Sequence, residues 1–359
     1  MTAGRRLAVL GAAMMLLLSG CGWMDGSYVS VTPHRVAAGQ SVEGDARAVG
    51  SYMELRGALV SLIDDGVTEG LFSLAEYPRE KVLEDMDRAV EYAMGSYPIG
   101  AYAVESIDYD FGTGLGASAI SVDITYRRSR EELARIRTVR WRAGAEGAIA
   151  EAMDECAQTL VIQMAGYQET DFAGIAREYA WNNPDRVMEM PQVSVQIYPD
   201  RGDTRVVELT FQYRTDRDTL RAMREQVQPV FSSAALYVSG QAQDSIKYAQ
   251  LQAFLTERFD YTLQSSATPA YDLLCQGMGD SQAFAQIYAA MCSRIGLEAR
   301  IVRGTRNGET HWWNLVKVDG AWRHLDLLAS AQYRPMTDSE MTGYDWDRTA
   351  YPAAESGSA

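Results

Sequence analysis

Histidine, cysteine and positive charge are all scarce in this chain. Three histidines (His34, His311 and His324) and four cysteines stand among 359 residues. There is no Cys-x-x-Cys pair and no Cys/His cluster at ligand spacing, so no zinc site is expected. Nothing suggests another metal or an organic cofactor. Beyond Cys21 the cysteines are Cys156, Cys275 and Cys292. An odd, widely spaced set is not a disulfide framework. Cys156 and Cys292 fall in apolar helical surroundings, as small buried hydrophobes do. Lysine and arginine total 33 against 48 aspartate and glutamate, a formal charge of −15. Such a surface repels phosphate backbones and anionic lipid, which argues against nucleic-acid binding and against charge-driven membrane adhesion. Beyond the N-terminus there is no apolar run of membrane-spanning length. The remainder, 47% hydrophobic with 23% charged residues, is globular in composition and long enough for two or three domains.

The N-terminus carries a distinct local pattern. Arg5 and Arg6 precede an apolar run from Leu7 to Leu18, too short to span a bilayer. The run closes in Leu18-Ser19-Gly20-Cys21, which resembles a bacterial lipobox. That resemblance implies removal of residues 1–20 as a signal peptide, lipidation of Cys21, and an extracytoplasmic protein held at the membrane by its lipid. Residues 21–50 are rich in Gly, Ser, Ala and acidic residues and read as a tether, with a reach of about 100 Å if fully extended.

An internal repeat follows. Over 51–140 the pattern predicts helix 52–65, strand 70–75, helix 79–94, and strands 105–111 and 119–126, with a polar helix start at 129–137. Over 141–230 the order recurs: helix 147–158, strand 159–165, helix 170–181, strands 193–198 and 206–213, and a helix starting near 217. The strands alternate apolar and polar residues, as half-buried sheets do. Val82, Met86, Ala89, Val90 and Ala93 recur at helical spacing. The segments Ile120-Ser-Val-Asp-Ile-Thr-Tyr-Arg and Val207-Glu-Leu-Thr-Phe-Gln-Tyr-Arg match in type. Helix 219–231, strand 234–239 and helix 243–259 echo the start of a third copy. No residue set in either repeat reads as catalytic.

From about residue 240 the chemistry becomes specific. Gly277-Met-Gly-Asp-Ser281 opens a helical run, Gly296-Leu-Glu-Ala-Arg300 leads to a strand, and His311-Trp-Trp-Asn314 opens the next. Asp319-Gly320 turns into Trp322, His324 and Asp326. This constellation resembles the transglutaminase-like (papain-like) domain of bacterial proteins, over about 231–352, with residues 353–359 as a tail. The segments Met336-Thr-Asp-Ser-Glu-Met341 and Tyr344 to Pro352 resemble the closing segment of clostridial members. The resemblance implies helices packed on an antiparallel sheet, so the fold expected for the whole is α+β: two tandem small α+β repeats followed by this domain. It places His311 at the general-base position and Asp326 at the carboxylate that orients the imidazole. Trp312, Trp313, His324 and Asp280 would line the cleft.

The sequence departs from the family at the nucleophile, where Ser281 stands for cysteine. Cys275 precedes the turn, and Cys292 lies eleven residues on, about 16 Å along a helix, so neither replaces it. A catalytic cysteine acts as a thiolate favoured by a helix N-terminus and an imidazolium. A hydroxyl is far less acidic and needs full assistance from a base. Asp280 suits a helix cap and would disfavour a thiolate. The expectation is therefore a lipoprotein with a degenerate cleft that binds a peptide, a cell-wall fragment or a protein partner, without ordinary transglutaminase or cysteine-protease activity. The alternative is a serine-dependent amide hydrolase or acyltransferase using Ser281, His311 and Asp326.

Overall fold

The computed structural model describes residues 46–74, 77, 78, 80–111, 119–330 and 332–355. The lipobox, Cys21, His34 and most of the tether lie outside the described residues.

The first sheet runs β1 (Arg47–Ala48), β2 (Glu69–Ser73), β4 (Ala119–Tyr126), β3 (Val104–Phe111) from edge to edge. β1 and β2 are parallel; the other pairs are antiparallel. In β4 Ile120, Val122 and Ile124 are buried while Ser121, Asp123 and Thr125 face solvent, the period-2 alternation of a sheet with one covered face. The cover is α1 (Tyr52–Asp64) and α2 (Val82–Gly95), whose Leu55, Leu59, Ile63, Met86 and Ala89 share that core. Ser51 caps α1 by accepting the Glu54 N–H, which satisfies one of the free donors of its first turn. Two elements were not foreseen. Residues 47–48 of the supposed tether pair with β2, and α3 (Pro98–Ala103) precedes β3.

The second sheet has the same strand order and pairing senses: β5 (Arg137–Arg140), β6 (Thr159–Ala165), β8 (Thr204–Gln212), β7 (Gln192–Tyr198). β6 spans the range expected from sequence. The helix expected at 147–158 is α5, Trp141–Asp154; Gly144 and Gly147 mask its start. The polar helix expected at 129–137 is one turn, α4 (Arg130–Leu133), closed by a capping box between Ser129 and Glu132, after which the chain extends into β5. α5 and α6 (Phe172–Asn182) cover one face of this sheet through Ile149, Met153, Phe172 and Ala176. On the other face Tyr102 and Ala103 of α3 meet Val206, and Arg128 pairs with the buried Glu208 at 2.7 Å. That is why β8 buries four consecutive residues, 206–209, instead of alternating.

The strand expected at 234–239 does not form. α7 runs unbroken from Arg217 to Tyr237, through Pro229. Its Leu220, Val227, Phe231 and Ala234 make one buried stripe, and that stripe holds 234–237 helical despite the proline. The stripe joins a third core with α8 (Asp244–Thr256), α9 (Pro269–Tyr271) and α10 (Ser281–Arg294). A short parallel pair, β9 (Asp260–Tyr261) and β10 (Met278–Gly279), leads into α10. The third sheet has the order β13 (Ala321–Leu325), β12 (Glu309–Val318), β11 (Ala299–Arg306), β14 (Tyr344–Trp346), all antiparallel. One face meets α10 through Val316 and Leu325. The other holds Val302, Trp313, Leu315 and Trp346. The chain is thus α+β throughout. No described helix is long and apolar enough to cross a membrane.

Candidate functional site

The approach to α10 is shaped by two glycines. Gly277 ends a π-helical turn, Asp272–Gln276, with φ +88°, a conformation that costs a residue with a Cβ. At Gly279 a Cβ would press Ala283 and Leu273 at 3.0 and 3.1 Å. Asp280 is the N-cap and accepts the Ala283 N–H at 2.9 Å, the capping role its type favours. Ser281 is then the first residue of α10, the position where free N–H donors gather.

The sheet brings the other motif residues to the same end. β13 pairs with β12 no further than Asn314↔Leu325, and two residues beyond, the Trp312 N–H donates to Ser281 Oγ at 3.3 Å. Asn314 ties the strand to the helix by donating to the Ala285 carbonyl at 2.8 Å. His311 stacks on Trp313, with ring centroids 6.3 Å apart. Its Nε2–H donates to Asp326 Oδ2 at 2.8 Å. Acceptance by a carboxylate fixes that proton on Nε2 and leaves Nδ1 as the ring's acceptor. Among the described residues the Ser281 hydroxyl bonds the Trp312 amide, and the imidazole is not its partner.

Asp326 is the most heavily engaged group. Oδ2 also accepts Tyr344 Oη–H at 2.6 Å and Arg306 Nη1 at 3.4 Å, and Oδ1 accepts the Leu328 N–H at 2.9 Å. Burial pushes its carboxyl up, but the hydrogen bonds from His311, Tyr344 and Leu328 outweigh it and hold the acid below its ordinary range. The Tyr344 phenol is pushed up in turn, by burial and then by the same carboxylate.

The remaining expected cleft residues divide. Trp312 packs edge-on against Trp181 of α6, with centroids 4.9 Å apart, so the second α+β unit reaches the site. A cavity of about 660 Å³ lies beside that contact, lined by Trp181, Met188, Gln192, Gln282 and Gln286 among others. None of Asp280, Ser281, His311, Trp312, Trp313, His324 and Asp326 is among its lining residues. Trp313 Nε1–H donates to His324 Nδ1 at 2.9 Å, and His324 Nε2–H donates to Asp338 Oδ1 at 2.9 Å. His324 is fully enclosed; burial lowers its pKa despite the Asp338 partner. Side chains alternate along a strand, and His324 falls on the face occupied by Trp313 and Trp346.

Among the described residues no thiol takes the place of Ser281. Cys275 sits in the turn before Gly277, and Cys292 is buried near the other end of α10. Burial pushes the pKa of both thiols up, the opposite of nucleophilic activation. Tyr344, Arg306, Asp338 and Trp181 are site neighbours that sequence reasoning did not single out. Tyr344 and Asp338 lie in the closing segments noted for resemblance, without a role; nothing local marks Trp181. Among the described residues no group of three or more His, Cys, Asp or Glu is arranged to hold a metal.

Residues 232–327 match the transglutaminase-like superfamily, and the chain carries a transglutaminase-like domain there. No curated protein sequence matches the chain. Among solved structures, a TGase aligns over 55% of this chain and 56% of its own, at 10% identity and TM-score 0.28. A candidate cysteine protease from Cytophaga hutchinsonii aligns over 43% of this chain and 70% of its own, at 14% identity and TM-score 0.26. A candidate protease from Parabacteroides distasonis aligns over 59% and 47%, at 9% identity and TM-score 0.23. The chain thus spans about half the length of the TGase it resembles.

Proposed function

We propose that this chain is a membrane-anchored exported lipoprotein, lipidated at Cys21, whose transglutaminase-like cleft binds a peptide, a cell-wall fragment or a protein partner without acyl-transfer chemistry. The observation that carries the reading is the state of Ser281. Its hydroxyl is buried and accepts a backbone amide at 3.3 Å, and among the described residues no hydrogen bond joins it to His311. A serine oxygen attacks only when a base removes its proton, and here the hydroxyl has no imidazole partner. The cavity next to the contact of Trp181 with Trp312 is lined by indole, thioether and amide groups together with Glu189 and Arg214, a mixed surface that a peptide or another polar ligand could use.

The intact pair of His311 and Asp326 favours a second reading, a serine-dependent amide hydrolase or acyltransferase. The two readings separate in one experiment. Trp312 fluorescence is titrated with synthetic peptides and with muropeptides, and the same mixtures are assayed for cleavage. The binding reading predicts saturable quenching that survives Ser281→Ala and is lost in Trp312→Ala, with no turnover. Turnover abolished by Ser281→Ala would replace it with the enzyme.

A further inference from the structure

Away from this cleft, arginines converge on a groove at the junction of α5, β8 and α7. Arg217, Arg221 and Arg224 stand at i, i+4 and i+7 along one face of α7, and all three act on the Cys156 thiol. Arg224 is committed, its Nη1 donating to the Asp154 carbonyl at 2.6 Å. That is the C-terminal end of α5, where a cation is favourable. Arg217 and Arg221 make no ion pair and no side-chain hydrogen bond among the described residues, and neither do Arg135 and Arg214. Arg217 is the first residue of α7, where positive charge opposes the helix dipole.

Arg135, Arg214 and Arg217 line one groove of about 1010 Å³. Its acidic lining residues are Glu155 and Asp216. Asp216 is spent on the α7 cap, accepting the Thr219 N–H and hydroxyl at 2.9 and 2.7 Å. Two further features lie in the same groove. Tyr213 lines this groove and the cavity beside Trp181, and its hydroxyl is buried with no hydrogen-bond partner among the described residues, a state that costs free energy unless a ligand or solvent satisfies it. Cys156 holds φ +50° at the turn that follows α5, where the first unit has Gly66 at +62° after α1. Both amides return to their helix in the same way, Gly66 to Ile63 and Cys156 to Met153. A side chain is therefore tolerated there against backbone strain.

We propose that this groove is a binding site for an oxyanion-bearing ligand larger than a single phosphate, gripped by Arg135, Arg214 and Arg217. Planar guanidinium forks suit phosphate and carboxylate oxygens alike. The full chain is titrated calorimetrically with inorganic tripolyphosphate and, separately, with tricarballylate. The expected result is saturable binding of at least one, weakened severalfold between about 50 and 200 mM salt. The anion that saturates identifies the class as phosphate or polycarboxylate. The double variant Arg135→Gln with Arg217→Gln should weaken binding about tenfold or more, as loss of two charge-assisted contacts does. A double variant with the same charge loss elsewhere, Arg142→Gln with Arg201→Gln, should not. Bound anion should also slow alkylation of Cys156. If neither anion saturates, or both double variants lose affinity equally, the site does not exist.

Discussion

Replacing Asp326 by asparagine probes the interior of the site with almost no change in shape. In the native protein one carboxylate receives four donors: His311 Nε2, Tyr344 Oη and Arg306 Nη1 on Oδ2, and the Leu328 N–H on Oδ1. An amide has one oxygen and one NH2. If its oxygen takes the Oδ2 position, the NH2 meets the Leu328 N–H; if it flips, the NH2 meets three donors. Either way at least one buried donor is stranded, at about 1–3 kcal/mol, and the remaining bonds lose their charge assistance, about 1 kcal/mol more. Asp326→Asn should therefore destabilise the fold by about 3 kcal/mol at pH 7 in urea denaturation. The pH dependence is the sharper test. The folded carboxyl lies below its ordinary value of 3.8, so its stabilisation is complete above 3.8 and lost as pH falls through the lower, folded value. The gap between wild type and variant should narrow as pH falls below 3.8. A variant as stable as wild type at pH 7, or a gap independent of pH, would refute the four-donor account.

His324, buried and neutral between Trp313 and Asp338, should titrate below 6.5 when followed by NMR; stability then falls as pH drops from 6.5 through that lower value, and a titration at or above 6.5 contradicts the burial argument. Gly304→Ala would place a Cβ 2.2 Å from the Asp345 carbonyl oxygen and 2.7 Å from the Trp313 ring. It should cost about 2 kcal/mol or more through overpacking, and an unchanged melting temperature would show that β11 and β14 are not in contact as described. Phe231→Ala empties a fully buried site on α7 and should cost about 3–5 kcal/mol in chemical denaturation. A cost under 1 kcal/mol would mean that α7 does not belong to the third core.

Legibility in the sequence followed the range of the interactions. The third sheet and its pair of His311 and Asp326 were anticipated through the family resemblance, and the fifteen-residue separation is consistent with two strands joined by a turn. β6 was legible from alternation alone. The short apolar run 234–237 was misread as strand because a helix's buried stripe and a strand look alike over four residues. Only the stripe from Leu220 to Ala234 decides it. Glycines hid the start of α5. The contact of Trp181 with Trp312 and the bond from Tyr344 to Asp326 rest on tertiary closure, which no local pattern announces. His324 was placed in the cleft by its nearness to Asp326, but the partners that enclose it, Trp313 and Asp338, come from another strand and from the closing segment.

The account turns on an unactivated oxygen at the head of α10, and intact-mass measurement after exposure to a fluorophosphonate reads this directly. Native protein incubated with the reagent should keep its unmodified mass, as should Ser281→Ala. A single phosphonyl adduct on the native chain, mapped to Ser281 and absent from the alanine variant, would mean that His311 does activate the hydroxyl and that the cleft is an enzyme's.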